Sequence, residues 1–200
     1  MPAPAADRFP DAREQASPHA GLLPVPEPLD ELFPYGGLPR GSVVTVDSVT
    51  LALALIASPD AAGAWSGALG IPDLGLAAAQ EAGIALSRFV LVPHPGEQWA
   101  TAAAVLIDGL DVLLTTFPRG TGPAQARRLS ARARERHTTV IALRGWPGSV
   151  DLRIQLLRGQ WMGLDHGYGR LTGRRCQLVS SGRGAAARER RVTAWLPPGP

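Results

Sequence analysis

The sequence predicts an α/β fold: a mostly parallel sheet with helices on both faces, followed by a C-terminal antiparallel extension. Three observations lead there. Short apolar runs alternate with helix-length segments up to Leu143. Those runs are apolar throughout, as strands buried on both faces of a sheet must be. After Leu143 the pattern changes to short runs separated by glycines, which fits antiparallel hairpins.

The elements follow in order. Residues 1–21 are rich in Pro and Ala, with mixed charge and no period, and are expected to form a disordered tail. Residues 22–38 are punctuated by Pro24, Pro26, Pro28, Pro34, Gly36 and Gly37; within them 28–33 makes one helical turn with Leu29, Leu32 and Phe33 inward. A buried strand is expected over 42–46, a short apolar helix over 50–57 and a weak strand with Trp65 over 64–70. Asp73 is placed to cap a helix over 74–82 that Gly83 ends. Phe89-Val90-Leu91-Val92 reads as a strand, and 97–108 as a helix with Ala100, Ala104 and Ile107 at core spacing. A strand over 112–114, an arginine-rich helix over 123–137 and a buried strand over 138–143 complete the alternation. Short strands are expected over 152–157, 160–164, 175–180 and 191–196. The organisation is then a tail over 1–21, a core over 22–150, and a basic β-rich extension and tail over 151–200.

Two hundred residues, 45% of them hydrophobic, can bury a sizeable core. No apolar run approaches the ~18 residues that span a bilayer, and the first residues lack the pattern of a signal peptide. A cytoplasmic protein without membrane contact is expected. Cys176 is the single cysteine, which excludes an internal disulfide and a cysteine-based zinc cluster; it is expected to be a packed or half-exposed thiol. His94, His137 and His166 have no metal-ligand spacing, so no metal site is expected. Asp108 and Asp111 flank a turn around Gly109, where capping explains them better than acid–base work.

Charge is segregated. Residues 1–118 carry −9 and residues 119–200 carry +12, which together give the net +3. The absence of lysine fits a GC-rich coding sequence. The segregation has no such explanation and implies that the second half meets an anion or an acidic partner.

The run Gly36-Gly37-Leu38-Pro39-Arg40-Gly41 leads into the strand over 42–46, with Leu29-Asp30 before it. Later come Gly83-Ile84, Phe89-Val90-Leu91-Val92, Pro95-Gly96-Glu97-Gln98 and Leu110-Asp111-Val112-Leu113-Leu114. In order and spacing, over about residues 22–145, this set resembles the core of RecA-type ATPases, and implies a reduced RecA-like sheet. The positions that carry chemistry in that family differ here. A phosphate-binding loop uses glycines to turn backbone N–H groups toward phosphates and a lysine to reach them. Here Asp47-Ser48-Val49-Thr50 runs straight into the apolar run 51–56, and no glycine follows until Gly63. The acidic residue expected at the end of the strand begun at Asp111 aligns with Thr116, and the expected glutamate falls near Ile71-Pro72, with Asp73 closest. The DNA-binding loop is cut to Gly145-Trp146-Pro147-Gly148. Phosphoryl transfer needs phosphates, metal and water positioned together. No catalytic residue, cofactor or ATP-dependent filament is therefore expected.

A short RecA-like chain of this kind resembles the ImuA family, in its actinobacterial ImuA-prime type. That resemblance implies a non-catalytic adaptor in damage-induced, error-prone translesion DNA synthesis, nucleoid-associated during DNA damage. The implied partner is ImuB, an inactive Y-family polymerase homologue, and through it an error-prone C-family polymerase and the sliding clamp. A SulA-like inhibitor of cell division, or a DNA-binding RecA-like protein with residual nucleotide binding, are the other readings.

Two arginine sets are candidate partner-binding residues. Arg128, Arg132 and Arg136 form an i, i+4, i+8 row on one helix, either a partner surface or a solvated face. In the extension, Arg174, Arg175, Arg188, Arg190 and Arg191 come with Trp195. Such a set serves a protein interface, nucleic acid by phosphate contact and stacking, or an ordinary surface. Removing the chain from Gly182 onward is expected to abolish partner binding while the core stays folded.

Overall fold

A computed structural model describes residues 21–165 and 168–196, with side chains except at 164, 165, 168–170 and 172. The tail expected over 1–21 lies outside the described residues apart from Gly21. Two short strands, β1 (Leu22–Leu23) and β2 (Leu38–Pro39), form a small antiparallel pair that the proline-punctuated sequence does not signal. The remaining strands are β3 (Val43–Val46), β4 (Ser66–Leu69), β5 (Phe89–Val92), β6 (Val112–Thr116), β7 (Thr139–Leu143), β8 (Leu152–Asp165), β9 (Tyr168–Gly182) and β10 (Arg190–Leu196). They build one eight-stranded sheet in the order β10-β9-β8-β3-β7-β6-β4-β5. From β8 to β5 every pairing is parallel, and β8-β9 and β9-β10 are antiparallel. This is the mixed α/β architecture with a C-terminal antiparallel extension that the sequence predicts.

Four helices cover the parallel part. α1 (Val49–Ala61) and α2 (Leu76–Glu81) lie on one face, where Leu51, Leu55, Ile56 and Ala79 pack against Val44, Val46, Leu114 and Ile141. α3 (Trp99–Gly109) and α4 (Pro123–Arg136) lie on the other, with Trp99, Ile107, Leu129 and Ala133 against Val43, Leu113 and Val140. α1 runs on to Ala61, past the expected end, with Pro59 in its last turn. Its run from Leu51 to Ile56 is buried without a break, because the 3-10 turn Leu29–Leu32 and Phe33 join the core it packs into. Leu29, Leu32 and Phe33 are all buried, as their spacing predicts.

Several local expectations need correction. α2 begins after Gly75, which makes no side-chain cap, so Asp73 does not cap it. In α3 the buried residues are Trp99, Ala103 and Ile107, so Ala100 and Ala104 sit one position off the core-facing row. The 3-10 turn Gly96–Gln98 precedes α3 and shifts its phase. His137 ends α4 in the left-handed conformation at φ 57°. Gly41, at φ 71°, lies so close to α4 that a Cβ would sit 3.0 Å from the Arg134 Cα. Its lack of a side chain lets the helix end close over the start of β3.

The four short strands expected after residue 150 are three long ones. Residues 152–157 and 160–164 belong to the single strand β8, because register shifts at Leu156/Arg158 and Met162/Leu164 absorb Leu157 and Gly163 as bulges. Gly159 pairs in register with Cys176 and Gly163 sits at a bulge, so neither marks a turn. One face of the extension joins the core through Ile154, Cys176, Leu178, Ala194 and Leu196. β10 also packs against the Leu29–Leu32 turn. The extension thus packs into the folded unit, which argues against a core that stays folded without the residues from Gly182 onward.

Two outcomes follow from this packing. Leu178→Ala should cost about 2–5 kcal/mol, by lost burial plus a cavity, and a chain ended at Gly182 should lose cooperative thermal unfolding altogether. A sharp, unshifted melt for either would contradict the placement of β9 and β10. Cys176 is buried, and burial pushes its thiol above the usual cysteine range. The folded protein should therefore resist thiol-specific reagents at neutral pH and label only on denaturation; prompt labelling of native protein would refute the buried position.

Candidate interaction surface

Open α/β sheets bind ligands beyond the carboxyl ends of their parallel strands. In this chain that crest is closed. The residues that follow the strands there are Asp47, Gly70, Pro93, Phe117 and Arg144. Only Ser48 separates Asp47 from α1, and its hydroxyl accepts from Leu51 N–H at 3.4 Å. Both Asp47 carboxylate oxygens accept the Leu156 N–H, at 3.2 and 3.1 Å. A carboxylate therefore stands where a phosphate would need positive charge. Thr116 Oγ1 donates to Gly70 O at 2.6 Å and Thr115 Oγ1 to Leu69 O at 3.0 Å, tying the ends of β6 and β4 together.

Above them Phe117 meets Trp99 and Trp146 edge-on, each at 5.0 Å between ring centres. The indole N–H groups of Trp99 and Trp146 donate to Thr115 Oγ1 and Ser130 Oγ. The aromatic bodies fill the space and their polar ends are satisfied within it. Magnesium-ATP at about 1 mM should leave the melting temperature unchanged, whereas a site with a Kd near 10 μM would add about 2.7 kcal/mol. A clear upward shift would mean that the crest still binds nucleotide.

The exposed chemistry lies on the extension. Its face opposite the core carries cross-strand rows that begin with Arg153 beside Ser181. The next rows are Gln155, Val179 and Arg191, then Arg158, Gln177 and Thr193, then Gln160, Arg175 and Trp195. Apart from Val179, these residues are exposed or half-exposed, because the layer of α3 and α4 does not reach this part of the sheet. Arg158, Gly159, Gln160, Arg175, Gln177 and Thr193 line an open groove of about 530 Å³. Trp195 is 43% exposed and its ring lies over Gly173, where a Cβ would come within 3.3 Å of it. Met162, on the same face, is also exposed.

The sequence-predicted arginines do not form one surface. Arg175, Arg191 and Trp195 share the open face, and Arg191 pairs there with Glu189 at 2.8 Å. Arg174 points to the other face, with its guanidinium 5.6 Å from the Trp161 ring centre and over Gly159. Arg190 is half-buried on that same side and donates to Arg188 O at 3.1 Å, while Arg188 is exposed beyond the 3-10 turn Gly184–Ala187. On α4, Arg132 is held in a two-pronged pair by Asp108, and Arg136 reaches the same carboxylate at 3.1 Å. The hydrogen bond to Asp108 raises the Arg132 pKa further. Two members of the row Arg128, Arg132, Arg136 are thus engaged within the chain. Arg153, Arg158 and the three glutamines were not singled out from sequence; the pairs 153/155, 158/160 and 175/177 are each two apart on a strand with one buried face, but the bulge at Leu157 breaks the row between 155 and 158.

Among the described residues no group of three or more His, Cys, Asp or Glu lies together to hold a metal ion, and no helix is long and apolar enough to cross a membrane. A protein-family model described as the MT3502 N-terminal domain matches residues 31–148. The uncharacterized protein Rv3395c of Mycobacterium tuberculosis (strain ATCC 25618 / H37Rv) is 38% identical over 167 residues, covering 76% of this chain and 80% of that one. The chain belongs to the MT3502 N-terminal-domain family.

Proposed function

We propose that this member of the MT3502 N-terminal-domain family is a non-catalytic, cytoplasmic adaptor of the ImuA-prime type. In this reading it binds an ImuB-like inactive Y-family polymerase homologue, and through it an error-prone C-family polymerase and the sliding clamp, in damage-induced translesion synthesis. It hydrolyses nothing itself and associates with the nucleoid when DNA is damaged. The observation that carries the reading is the closed crest. The chain keeps the ordered strand and turn set that resembles RecA, while Asp47 and the Trp99–Phe117–Trp146 cluster lie at the carboxyl ends of its strands. A scaffold of that kind with no ligand site is suited to contact work.

The segment from Arg188 to Leu196 supports a protein contact. β10 is an edge strand of the sheet, so one side of its backbone is unpaired among the described residues. An extended partner segment can add to such an edge by main-chain hydrogen bonds. Arg188, Arg190 and Arg191 stand at its start and Trp195 near its end, and Arg and Trp are enriched where interfaces concentrate their energy.

The test is calorimetric titration of purified ImuB-like partner into the full chain, with FtsZ as the comparison. The partner should bind and FtsZ should not. The triple variant R188E/R190E/R191E should weaken binding at least tenfold while its circular dichroism matches wild type. Binding of FtsZ in place of the partner would favour the cell-division reading and overturn this one.

A further inference from the structure

The open face of β8 and β9 carries three arginines, Arg153, Arg158 and Arg175, for which no ion pair is formed among the described residues. We propose that this face binds single-stranded nucleic acid, with these arginines on the phosphates and Trp195 as a stacking platform for a base. The proposal shares Trp195 with the protein contact assigned to β10 but rests on a different set of arginines.

Four features favour this occupant. First, the rows from Gln155 to Trp195 hold arginine, glutamine and threonine but no carboxylate; Asp47 beside them is engaged by the Leu156 N–H, and Glu189 is paired with Arg191. Such a field attracts a polyanion. Second, the charges are spread along the sheet. Alternate residues of a strand lie about 6.8 Å apart and diagonal neighbours on adjacent strands about 7–8 Å apart, so Arg158 and Arg175 are spaced as separate contacts along a chain of phosphates. Third, Gln155, Gln160 and Gln177 interleave with the arginines. An acidic peptide needs only the cations; the amides offer both donors and acceptors, as base edges require. Fourth, Trp195 lies against Gly173 with one side open, next to Arg175 in the same row. An open groove that combines a basic track with an exposed ring is how unpaired bases are held without strong sequence preference.

Fluorescence anisotropy of a labelled oligothymidylate of about 20 nucleotides, titrated with the full chain, tests this. Saturable binding should weaken with salt, with a log–log slope of about −2 for three phosphate contacts on a single strand. R153E/R158E/R175E should lose at least tenfold in affinity, and the gentler R153Q/R158Q/R175Q should lose part of it with a shallower slope. Trp195→Ala should lose about fivefold or more with the slope unchanged, which separates stacking from charge. Arg128→Glu, on α4, should bind as wild type. These side chains are exposed, so the variants should melt like the parent. The proposal is overturned by no saturable binding, by a triple variant that binds like wild type, or by preference for polyglutamate over the oligonucleotide, which would assign the face to an acidic protein.

Discussion

The fold turns on how β8 is held to β3. The two strands pair only from Leu152 to Ile154, after which β8 leaves the parallel sheet to form a long hairpin with β9. Both ends of this short pairing are fastened by a carboxylate. At the start, Asp151 Oδ2 accepts the Val43 N–H at 2.8 Å, while the Asp151 N–H donates to Val43 O at 2.9 Å. At the end, the Leu156 N–H has left the reach of β3 and is taken by Asp47. The bond lies at the surface, where water could also take this N–H; the aspartate instead holds it to the end of β3 and fixes where the strand parts. Gly182 completes the junction: a Cβ there would meet Asp151 O at 2.2 Å, and the following Arg183 N–H donates to that oxygen.

The same fastening places negative charge, not positive, at the end of β3. A phosphate loop at the end of β3 would need backbone N–H groups turned outward and a nearby cation. Here the turn is reduced to Asp47 and Ser48, and both side chains accept backbone N–H groups, one from β8 and one from α1. The residue that lets the extension branch from the sheet is thus also a negative charge at the end of β3. Closing one surface and opening another are linked through one side chain.

Much of this was legible in the sequence, and the misses share a cause. Parallel strands buried on both faces announce themselves as apolar runs, so β3, β5, β6 and β7 were placed to within a few residues. The extension has one buried face, and its pattern is broken by bulges at Leu157 and Gly163. Each bulge shifts the alternation by one, so that Gln155 and Arg158 share a face although three positions separate them. Periodicity then suggests two strands, and composition gathers Arg174 with Arg175 although the pleat sends them to opposite faces. The cap expected at Asp73 failed because α2 is short and starts two residues later, after a glycine.

Charge segregation along the chain is partly an internal matter. Acidic residues of the first part meet arginines of the second across the α3–α4 contact, where Asp108 holds Arg132 and Arg136. The pair Arg40–Asp111, at 2.6 Å and partly buried, lies within the first part, and Asp111 also accepts the Trp65 N–H at 2.9 Å. Arg134 stands 3.9 Å from Asp151. Exposed pairs of this sort contribute little to stability, typically under about 1 kcal/mol each. Their larger effect is on the field outside the molecule, since Asp108 and Asp151 offset part of the positive charge of α4. Of the arginines outside these pairs, Arg153, Arg158 and Arg175 lie on β8 and β9, on a face that no helix covers. Part of the basic character that composition assigns to a whole third of the chain therefore gathers on one uncovered face, where a charged partner meets a field of one sign.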